Sequence, residues 1–423
     1  MLRRQSRQTW AWMFYDWANS AFATVVIAGF FPVFFREFWS RGQASADITF
    51  HLGAANSLAS LAIVVAAPFI GAVADSGGLK KRLLLSFAGL GIAMTAALFW
   101  LQAGQWQLAV ALYVLATIGF MGGNVFYDSL LVDVAEPHRY DAVSAGGYAI
   151  GYLGGGLLFA VCVAMTLQPH WFGLADPAAA VRLSFLFTAA WWAIFTIPLL
   201  LWVPEPAAKG RGGAGRAVAG GWRQLVGTFH EIRRLRVLSL FLLAYWLYID
   251  GVDTVIRMAV DYGLALGFGT SQLITALLIT QFVGFPAAVV FGRLGERFGT
   301  KRSIGIGIAV FAAVTVAASV MRETWQFYAV AIVIGLVLGG VQSLSRAFYA
   351  RLIPAGKSAE FFGFYNMLGK FAAVIGPTLM GGVALLTGDQ RLAILSLLVL
   401  FAAGGALLYF VDEAEGRAAA RRI

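Results

Sequence analysis

Apolar stretches long enough to cross a lipid bilayer recur along the whole chain of 423 residues. A membrane-spanning helix needs about 20 predominantly apolar residues, and runs of this kind predict twelve helices. The predicted helices cover residues 13–35, 53–74, 83–102, 107–128, 145–167, 182–203, 237–261, 272–295, 303–321, 325–348, 361–386 and 391–411. The chain is 60% hydrophobic and only 12% charged, whereas soluble domains carry about 25% charged residues. These features exclude a soluble enzyme and predict an all-α membrane protein.

The lysines and arginines indicate how the chain threads the membrane. If the N-terminus is cytoplasmic, most of the 31 basic residues fall in cytoplasmic segments and few in the opposite loops. Cytoplasmic loops are enriched in these residues, so we predict that both termini are cytoplasmic. The net charge of +10 is then a topology signal, and we expect no nucleic-acid partner. The basic start resembles a signal peptide, but the apolar run after it is long and contains Asp16 and Asn19, so we interpret it as the first helix.

Residues that hold metals or disulfides are scarce. Cys162 is the single cysteine, so the chain cannot form an internal disulfide or a cysteine-ligated zinc site. The four histidines fall in polar breaks between apolar runs. The closely spaced glycines lie inside apolar runs and are typical of helix packing, not of nucleotide binding. We expect no cofactor, no metal and no enzymatic activity.

The one long break between apolar runs predicts a boundary between two domains. Residues 1–203 and 237–423 each hold six predicted helices, and residues 204–236 form a cytoplasmic linker. The end of this linker has apolar residues at helical spacing opposite arginines, which favours a helix lying flat on the anionic leaflet. The apolar positions are Trp222, Leu225, Val226, Phe229 and Ile232. The alternative is a disordered tether.

The two halves share a spaced motif, which indicates a duplication. Each half has a glycine, an acid, a second glycine and two basic residues at the same spacing, in the loop after its second helix. The motif residues are Gly71, Asp75, Gly78, Lys80 and Lys81, and, displaced by 221 positions, Gly292, Glu296, Gly299, Lys301 and Arg302. Two six-helix halves of the same topology are the plan of a transporter class whose solute site lies between the halves near the membrane midplane.

This duplicated loop motif resembles the signature of the major facilitator superfamily. The stretches at residues 15–22, 151–155, 248–251, 342–346 and 361–365 look like the branch that includes vacuolar amino-acid effluxers of fungi and bacterial members of unassigned function. The resemblance covers essentially the whole chain. It implies twelve helices in two pseudo-symmetric bundles, alternating access, and a role for Asp75 and Glu296 in holding the outward-facing state closed on the cytoplasmic side. With no long tails, the chain looks like a bacterial member of this branch from the plasma membrane.

Few ionisable residues lie inside the predicted helices, and such residues usually face a wet cavity or a partner. With neighbouring amides they form three groups at helical spacing: Asp16 with Asn19; Asp250, Asp253 and Arg257; and Asn366 with Lys370. Tyr248 is a candidate wall of the cavity. We hypothesise that Asp250 or Asp253 exchanges protons or meets a substrate ammonium, while Arg257 or Lys370 meets a carboxylate. The alternative is mutual neutralisation, with Arg257 paired to Asp253 and Lys370 paired to Asp16 or Asp250.

Asp128 and Arg346 occupy nearly equivalent places near the inner ends of the fourth and tenth helices. Those ends meet when the cytoplasmic side closes, so we hypothesise that a salt bridge between them acts as a gate. The alternative is that both are separate solvated charges. The loop motifs, by contrast, are expected to act as latches, with Gly71 and Gly292 letting helices approach closely. Plain topology anchoring is the alternative role of their basic residues.

Together these features predict a secondary active transporter of a small polar or zwitterionic, amino-acid-like solute. Efflux, coupling to protons and a monomer within the lipid bilayer are expected. The alternatives are an exporter of amphipathic compounds, a lipid mover, and a transport-inactive membrane sensor or scaffold.

Overall fold

The computed structural model describes residues 6–206, 226–265 and 269–422. Within these residues, twelve helices are long and apolar enough to cross a membrane. They are α1 (Arg7–Trp39), α2 (Phe50–Gly77), α3 (Lys80–Trp100), α4 (Trp106–Val134), α5 (Pro137–Leu167), α6 (Pro177–Trp202), α7 (Arg236–Ile256), α8 (Ser271–Phe298), α9 (Thr300–Val320), α10 (Thr324–Leu352), α11 (Ser358–Thr387) and α12 (Arg391–Tyr409). Each contains one predicted apolar stretch or most of it, so the predicted all-α membrane fold is confirmed.

The helices pack as two groups of six. In the first, α1 contacts α5 and α6, and α3 contacts α4; in the second, α8 contacts α10, and α7 contacts α11 and α12. The two groups meet chiefly where α2 contacts α11 and where α5 contacts α8 and α10. We call the first group the N-half and the second the C-half. An even number of spans puts the start of α1 and the end of α12 on one side, which we call the basic face.

Among the described residues, two short α-helices lie outside the spans on the basic face. Residues 226–234 form a helix directly before α7, and we call it the linker helix. A second helix, Glu413–Ala420, follows α12. The predicted helical pattern of the linker also included Trp222 and Leu225, which lie outside the described residues.

Glycine ends α2 and α8 at matching places of the two motifs. Gly78 has φ 62° and Gly299 has φ 93°, a left-handed region that residues with a Cβ rarely adopt. Each glycine thus lets the chain leave one span and start the next within two residues. In the N-half this brings Lys80 to 3.2 Å from Asp75 on the basic face.

Helix α1 departs from regular α-helical hydrogen bonding. It is wider, with π-helical bonding, over Phe22–Phe30 and again over Phe35–Trp39. Such segments occur frequently at functional sites. In the first of them, Thr24 accepts a hydrogen bond from Gln281 Nε2 of α8 at 3.2 Å, so the widened segment touches the C-half. Nothing in the sequence predicts this contact.

Candidate functional site

The centre of the interface is a buried arginine of α10. Arg346 Nη1 lies 2.9 Å from Asp128 Oδ1 of α4. Its Nε and Nη2 donate to the hydroxyl and the carbonyl oxygen of Ser144 in α5, at 2.8 and 3.1 Å. The ion pair hypothesised from the sequence is therefore present and joins the two halves. Its function as a gate stays a prediction.

Aromatic rings of the N-half enclose the same guanidinium. The Arg346 Cζ atom lies 4.9 Å from the ring centre of Trp12, 5.2 Å from that of Tyr127 and 4.6 Å from that of Tyr148. A cation over an aromatic face is stabilised electrostatically, the more so when both are desolvated. One C-half side chain is thus inserted into a pocket built by α1, α4 and α5. Trp12 and Tyr127 were not predicted as site residues.

A second carboxylate approaches this arginine. Asp16 Oδ2 lies 3.9 Å from Arg346 Nη2 and accepts a hydrogen bond from the Tyr127 hydroxyl at 3.0 Å. Asp16 and Asp128 therefore share one guanidinium, and both belong to the N-half. With two negative charges and one positive charge, this group of side chains carries an excess negative charge when both acids are ionised.

Two amide side chains near these acids have partners that the sequence did not predict. Asn366 of α11 donates to Asp128 Oδ2 at 3.0 Å, so it bridges the halves as Arg346 does. Asn19 donates to Asn124 Oδ1 at 2.6 Å within the N-half. Asn124 was missed because one uncharged amide in an apolar run carries no signal of its partner.

Asp250 is bound by backbone groups of α11, within its own half. Its side chain is buried in the C-half, and its two carboxylate oxygens accept hydrogen bonds from the backbone N–H groups of Gly376 and Ile375, at 2.9 and 3.1 Å. Asp250 therefore ties α7 to α11 next to Pro377. Its predicted part in proton exchange or in binding a substrate ammonium stays a prediction. The Tyr248 hydroxyl is likewise bound within the C-half, 2.7 Å from Ser345 Oγ.

The remaining predicted binding residues lie on α7 and α11. Asp253 is half-buried and interacts with other groups. Lys370 is also half-buried and interacts with other groups. The side chain of Arg257 lies outside the described part of the structure.

The motif of the N-half forms a buried latch on the basic face. Asp75 Oδ2 accepts the backbone N–H of Glu360, in the first turn of α11, at 2.9 Å. Lys80 Nζ lies 3.2 Å from Asp75 Oδ1, 3.0 Å from Asp133 Oδ2 and 2.7 Å from Ser358 Oγ. Asp75 and Lys80 therefore hold the first turn of α11, Asp75 through the Glu360 backbone N–H and Lys80 through the Ser358 hydroxyl.

The motif of the C-half does not mirror this latch. Glu296 is exposed and makes no hydrogen bond within the residues that the structure describes. The acid that joins the two halves here is Asp141, in the first turn of α5. Its Oδ2 accepts a hydrogen bond from Thr300 Oγ1 and forms an ion pair with Arg351 Nη2, both at 2.8 Å. Arg351 also donates to the Pro137 carbonyl oxygen at 3.2 Å. The expectation of a symmetric pair of acids is thus corrected to Asp75 on one side and Asp141 on the other.

The two motif glycines lie where helices of opposite halves touch. A Cβ atom added to Gly71 would lie 2.4 Å from the backbone oxygen of Ala359 in α11. One added to Gly292 would lie 2.7 Å from the Cβ atom of Ala145 in α5. Both positions therefore need glycine for the close approach that the sequence predicted.

The lysines Lys81 and Lys301 of the two motifs donate hydrogen bonds to carbonyl oxygens at the ends of other helices. Lys81 Nζ donates to the carbonyl oxygen of Leu200 at 2.7 Å, and Lys301 Nζ donates to that of Tyr409 at 2.7 Å. Cations there satisfy carbonyl groups at the C-terminal ends of α6 and α12. Arg302 is exposed. These contacts fit the anchoring role that was the alternative to a latch.

Comparison with known proteins agrees with this architecture. Residues 52–421 match the family model described as "Vacuole effluxer Atg22 like". An uncharacterised MFS-type transporter of Bacillus subtilis, YxiO, is 39% identical over 415 residues, which is 98% of this chain and 96% of the relative. The chain belongs to the Atg22-like family of major facilitator transporters. This Atg22-like protein is therefore a multi-pass membrane transporter and not an enzyme.

More distant comparisons agree on the family and on the fold. Autophagy-related protein 22 of Pyricularia oryzae is 26% identical over 430 residues, covering 82% of the Atg22-like chain but only 63% of the fungal protein. The structure of the proton:xylose symporter XylE superposes with a TM-score of 0.72 over 97% of this chain and 96% of the symporter, at 12% identity. The second likeness shows the major facilitator fold alone.

Proposed function

We propose that this Atg22-like transporter exports a small zwitterionic, amino-acid-like solute in exchange for protons, by alternating access. The observation that carries the proposal is one buried arginine of the C-half, Arg346, which is shared by two carboxylates of the N-half, Asp16 and Asp128. Charge groups of this kind inside a membrane mark substrate or proton pathways.

The proposed coupling follows from the contacts between the halves on the basic face. Opening that face moves the C-half away from the N-half, so Arg346 leaves both carboxylates. Breaking a buried ion pair by losing one partner costs about 3–5 kcal/mol because a charge is left uncompensated. Protons on the two acids remove the negative charges that Arg346 leaves behind, and a solute ammonium at Asp16 offsets one of them. Protons therefore favour opening of the basic face, and the solute competes for the same carboxylates.

Asp16 is the better candidate for contact with the solute, because its carboxylate keeps some exposure while Asp250 is fully bound by α11. The Asp16 side chain is 13% exposed, against 3% for Arg346. Lys370 and Asp253, which are half-buried on the C-half, are the proposed partners of the solute carboxylate and of the coupling proton. The family description as a vacuole effluxer supports export.

The basic face is proposed to lie in the cytoplasm of a cell bounded by its plasma membrane, with both termini on that side. Positively charged segments at this face favour the orientation. The proposed working unit is a monomer, because the buried ion pairs of Asp75, Asp128 and Asp141 are completed by residues of one chain.

Transport assays in everted membrane vesicles test the proposal. An acidic vesicle interior should drive accumulation of labelled amino acids, and Asp16→Asn should reduce the gradient-driven part at least tenfold. Glu136→Gln is the matched control, because Glu136 is an exposed acid of the same face, 76% accessible. Uptake that is equal with and without the gradient, or equal in Asp16→Asn and wild type, would refute proton exchange. Uptake of an amphipathic dye without any amino-acid uptake would point to an exporter of amphipathic compounds.

A further inference from the structure

The linker helix has two different faces. Its buried residues are four positions apart, and its exposed residues fill the other side. The buried residues are Thr228 and Ile232, Leu235 directly after the helix is buried as well, and the exposed residues are Val226, Gly227, Phe229, His230, Arg233 and Arg234. A nine-residue helix with this pattern is bound to the protein on one side only.

The exposed side combines an apolar ring with positive charge. Phe229 is 50% exposed and Val226 is 42% exposed, and the guanidinium of Arg233 lies 5.9 Å from the Phe229 ring centre. Arg234 and Arg236 are also exposed. Apolar residues next to arginines are the composition of helices that lie in the headgroup region of an anionic membrane.

The position of the helix agrees with that composition. Leu235 alone separates the linker helix from Arg236, where the membrane span α7 begins. The helix is therefore fixed within about one turn of the level at which a span leaves the bilayer. Lipid headgroups are the molecules present at that level.

The buried side grips the part of α11 that the Asp75 latch also grips. The Thr228 hydroxyl donates to the Glu360 carboxylate, and Lys357 Nζ lies 2.5 Å from Glu231 Oε1. The backbone N–H of the same Glu360 donates to Asp75 of the N-half at 2.9 Å. The linker helix and the latch thus hold one turn of α11 from two sides.

We propose that the linker helix binds anionic lipid headgroups through Phe229, Arg233 and Arg234, and that this binding stabilises the state closed at the basic face. The arginines are attracted to an anionic membrane surface, and the lipids keep the helix at the bilayer surface. The helix then keeps the first turn of α11 in the position that Asp75 recognises. The lipid composition next to the transporter therefore biases its conformational equilibrium.

Distance measurements in nanodiscs test this coupling without any transported solute. Spin labels at His138→Cys in the N-half and Arg297→Cys in the C-half, in a Cys162→Ser background, report separation at the basic face by double electron–electron resonance. Both label positions are exposed. The ratio of closed to open molecules is compared between phosphatidylcholine alone and phosphatidylcholine with anionic phosphatidylglycerol. We expect the anionic lipid to raise this ratio by up to about 25-fold, roughly fivefold per arginine.

Three variants locate the effect. Arg233→Gln with Arg234→Gln should remove the lipid response and leave the ratio in phosphatidylcholine unchanged. Glu231→Gln, which breaks the ion pair with Lys357 but keeps the exposed face, should weaken the response. Arg82→Gln, an exposed arginine at the start of α3, should keep it.

Four results would overturn the proposal. The first is a wild-type ratio that is the same in both lipids, and the second is a full response in the double arginine variant. The third is a full response in Glu231→Gln, which would separate the linker helix from the gate. The fourth is loss of the response in Arg82→Gln, which would assign it to general surface charge.

Discussion

A single methyl group at the contact between α2 and α11 should prevent closure of the basic face. In the closed structure, a Cβ atom at position 71 would lie 2.4 Å from the Ala359 oxygen, 2.8 Å from the Ala359 carbonyl carbon and 2.9 Å from the Glu360 Cα atom. All three atoms belong to the backbone, so no side chain can rotate to make room. Gly71→Ala therefore forces the two helices apart.

The size of the effect follows from ordinary contact distances. Nonbonded heavy atoms sit about 3.5–4.0 Å apart, so α11 has to retreat by about 1 Å to accept the methyl group. Overpacking of this kind costs about 1–3 kcal/mol. Because α2 and α11 separate when the face opens, the cost falls on the closed state alone. The ratio of closed to open molecules should fall by a factor of about 5 to 150.

Resonance measurements with the labels at positions 138 and 297 check this prediction. Gly71→Ala should broaden the distance distribution toward longer values, and the matched control Gly89→Ala should not, because a Cβ atom at Gly89 meets nothing within 4 Å. An unchanged distribution in Gly71→Ala would refute the reasoning. It would mean that the halves do not close through this contact.

Other variants test single contacts. Asp250→Ala should lower the melting temperature of the purified protein by several degrees while the label distance stays unchanged, because the lost bonds lie within the C-half; a shifted distance with no change in melting would contradict this. Asp75→Asn should lower the closed-to-open ratio about tenfold or more by weakening a buried, charged latch, whereas Glu296→Gln should match wild type. Equal effects of Asp75→Asn and Glu296→Gln would contradict this difference and would mean that both motif acids hold the face closed. Arg351→Gln should open the face to a similar extent as Asp75→Asn, and a closed distribution in that variant would remove Asp141 from the gate.

The fold is readable from the sequence because the bilayer imposes strict requirements. Each span needs about 20 apolar residues and internal hydrogen bonds, so twelve apolar runs predict twelve helices. The repeat then predicts two halves of one topology. The widened segment Phe22–Phe30 of α1 was not predictable, since π-helical bonding depends on packing against other helices.

Contacts of the site were predictable only where residues of opposite charge occupy nearly equivalent positions in the two halves. Asp128 and Arg346 were paired on that ground, and their ion pair is present at 2.9 Å. The partners of Asp250 were not predictable, because they are backbone N–H groups 125 and 126 positions away. A pattern of charged side chains carries no information about backbone donors.

Symmetry also misled the prediction for the second motif. Glu296 matches Asp75 in sequence, but the corresponding contact in the structure is made by Asp141 with Thr300 and Arg351. The first turn of α5 carries its own acid, so the C-half needs no carboxylate at position 296. The sequence repeat predicts where each loop lies, whereas the neighbouring side chains determine which acid forms the contact between the halves.

The pH dependence of the closed-to-open ratio, measured by resonance between the labels at 138 and 297, tests the central claim most directly. A protonated carboxyl group carries no charge to hold a guanidinium, so acidification should open the basic face of the wild type. In the variant Asp16→Asn with Asp128→Asn, the ratio should no longer respond to pH in this way. A ratio that stays constant or rises on acidification, or an identical response in wild type and double variant, would contradict the claim that protons act through the arginine shared by Asp16 and Asp128.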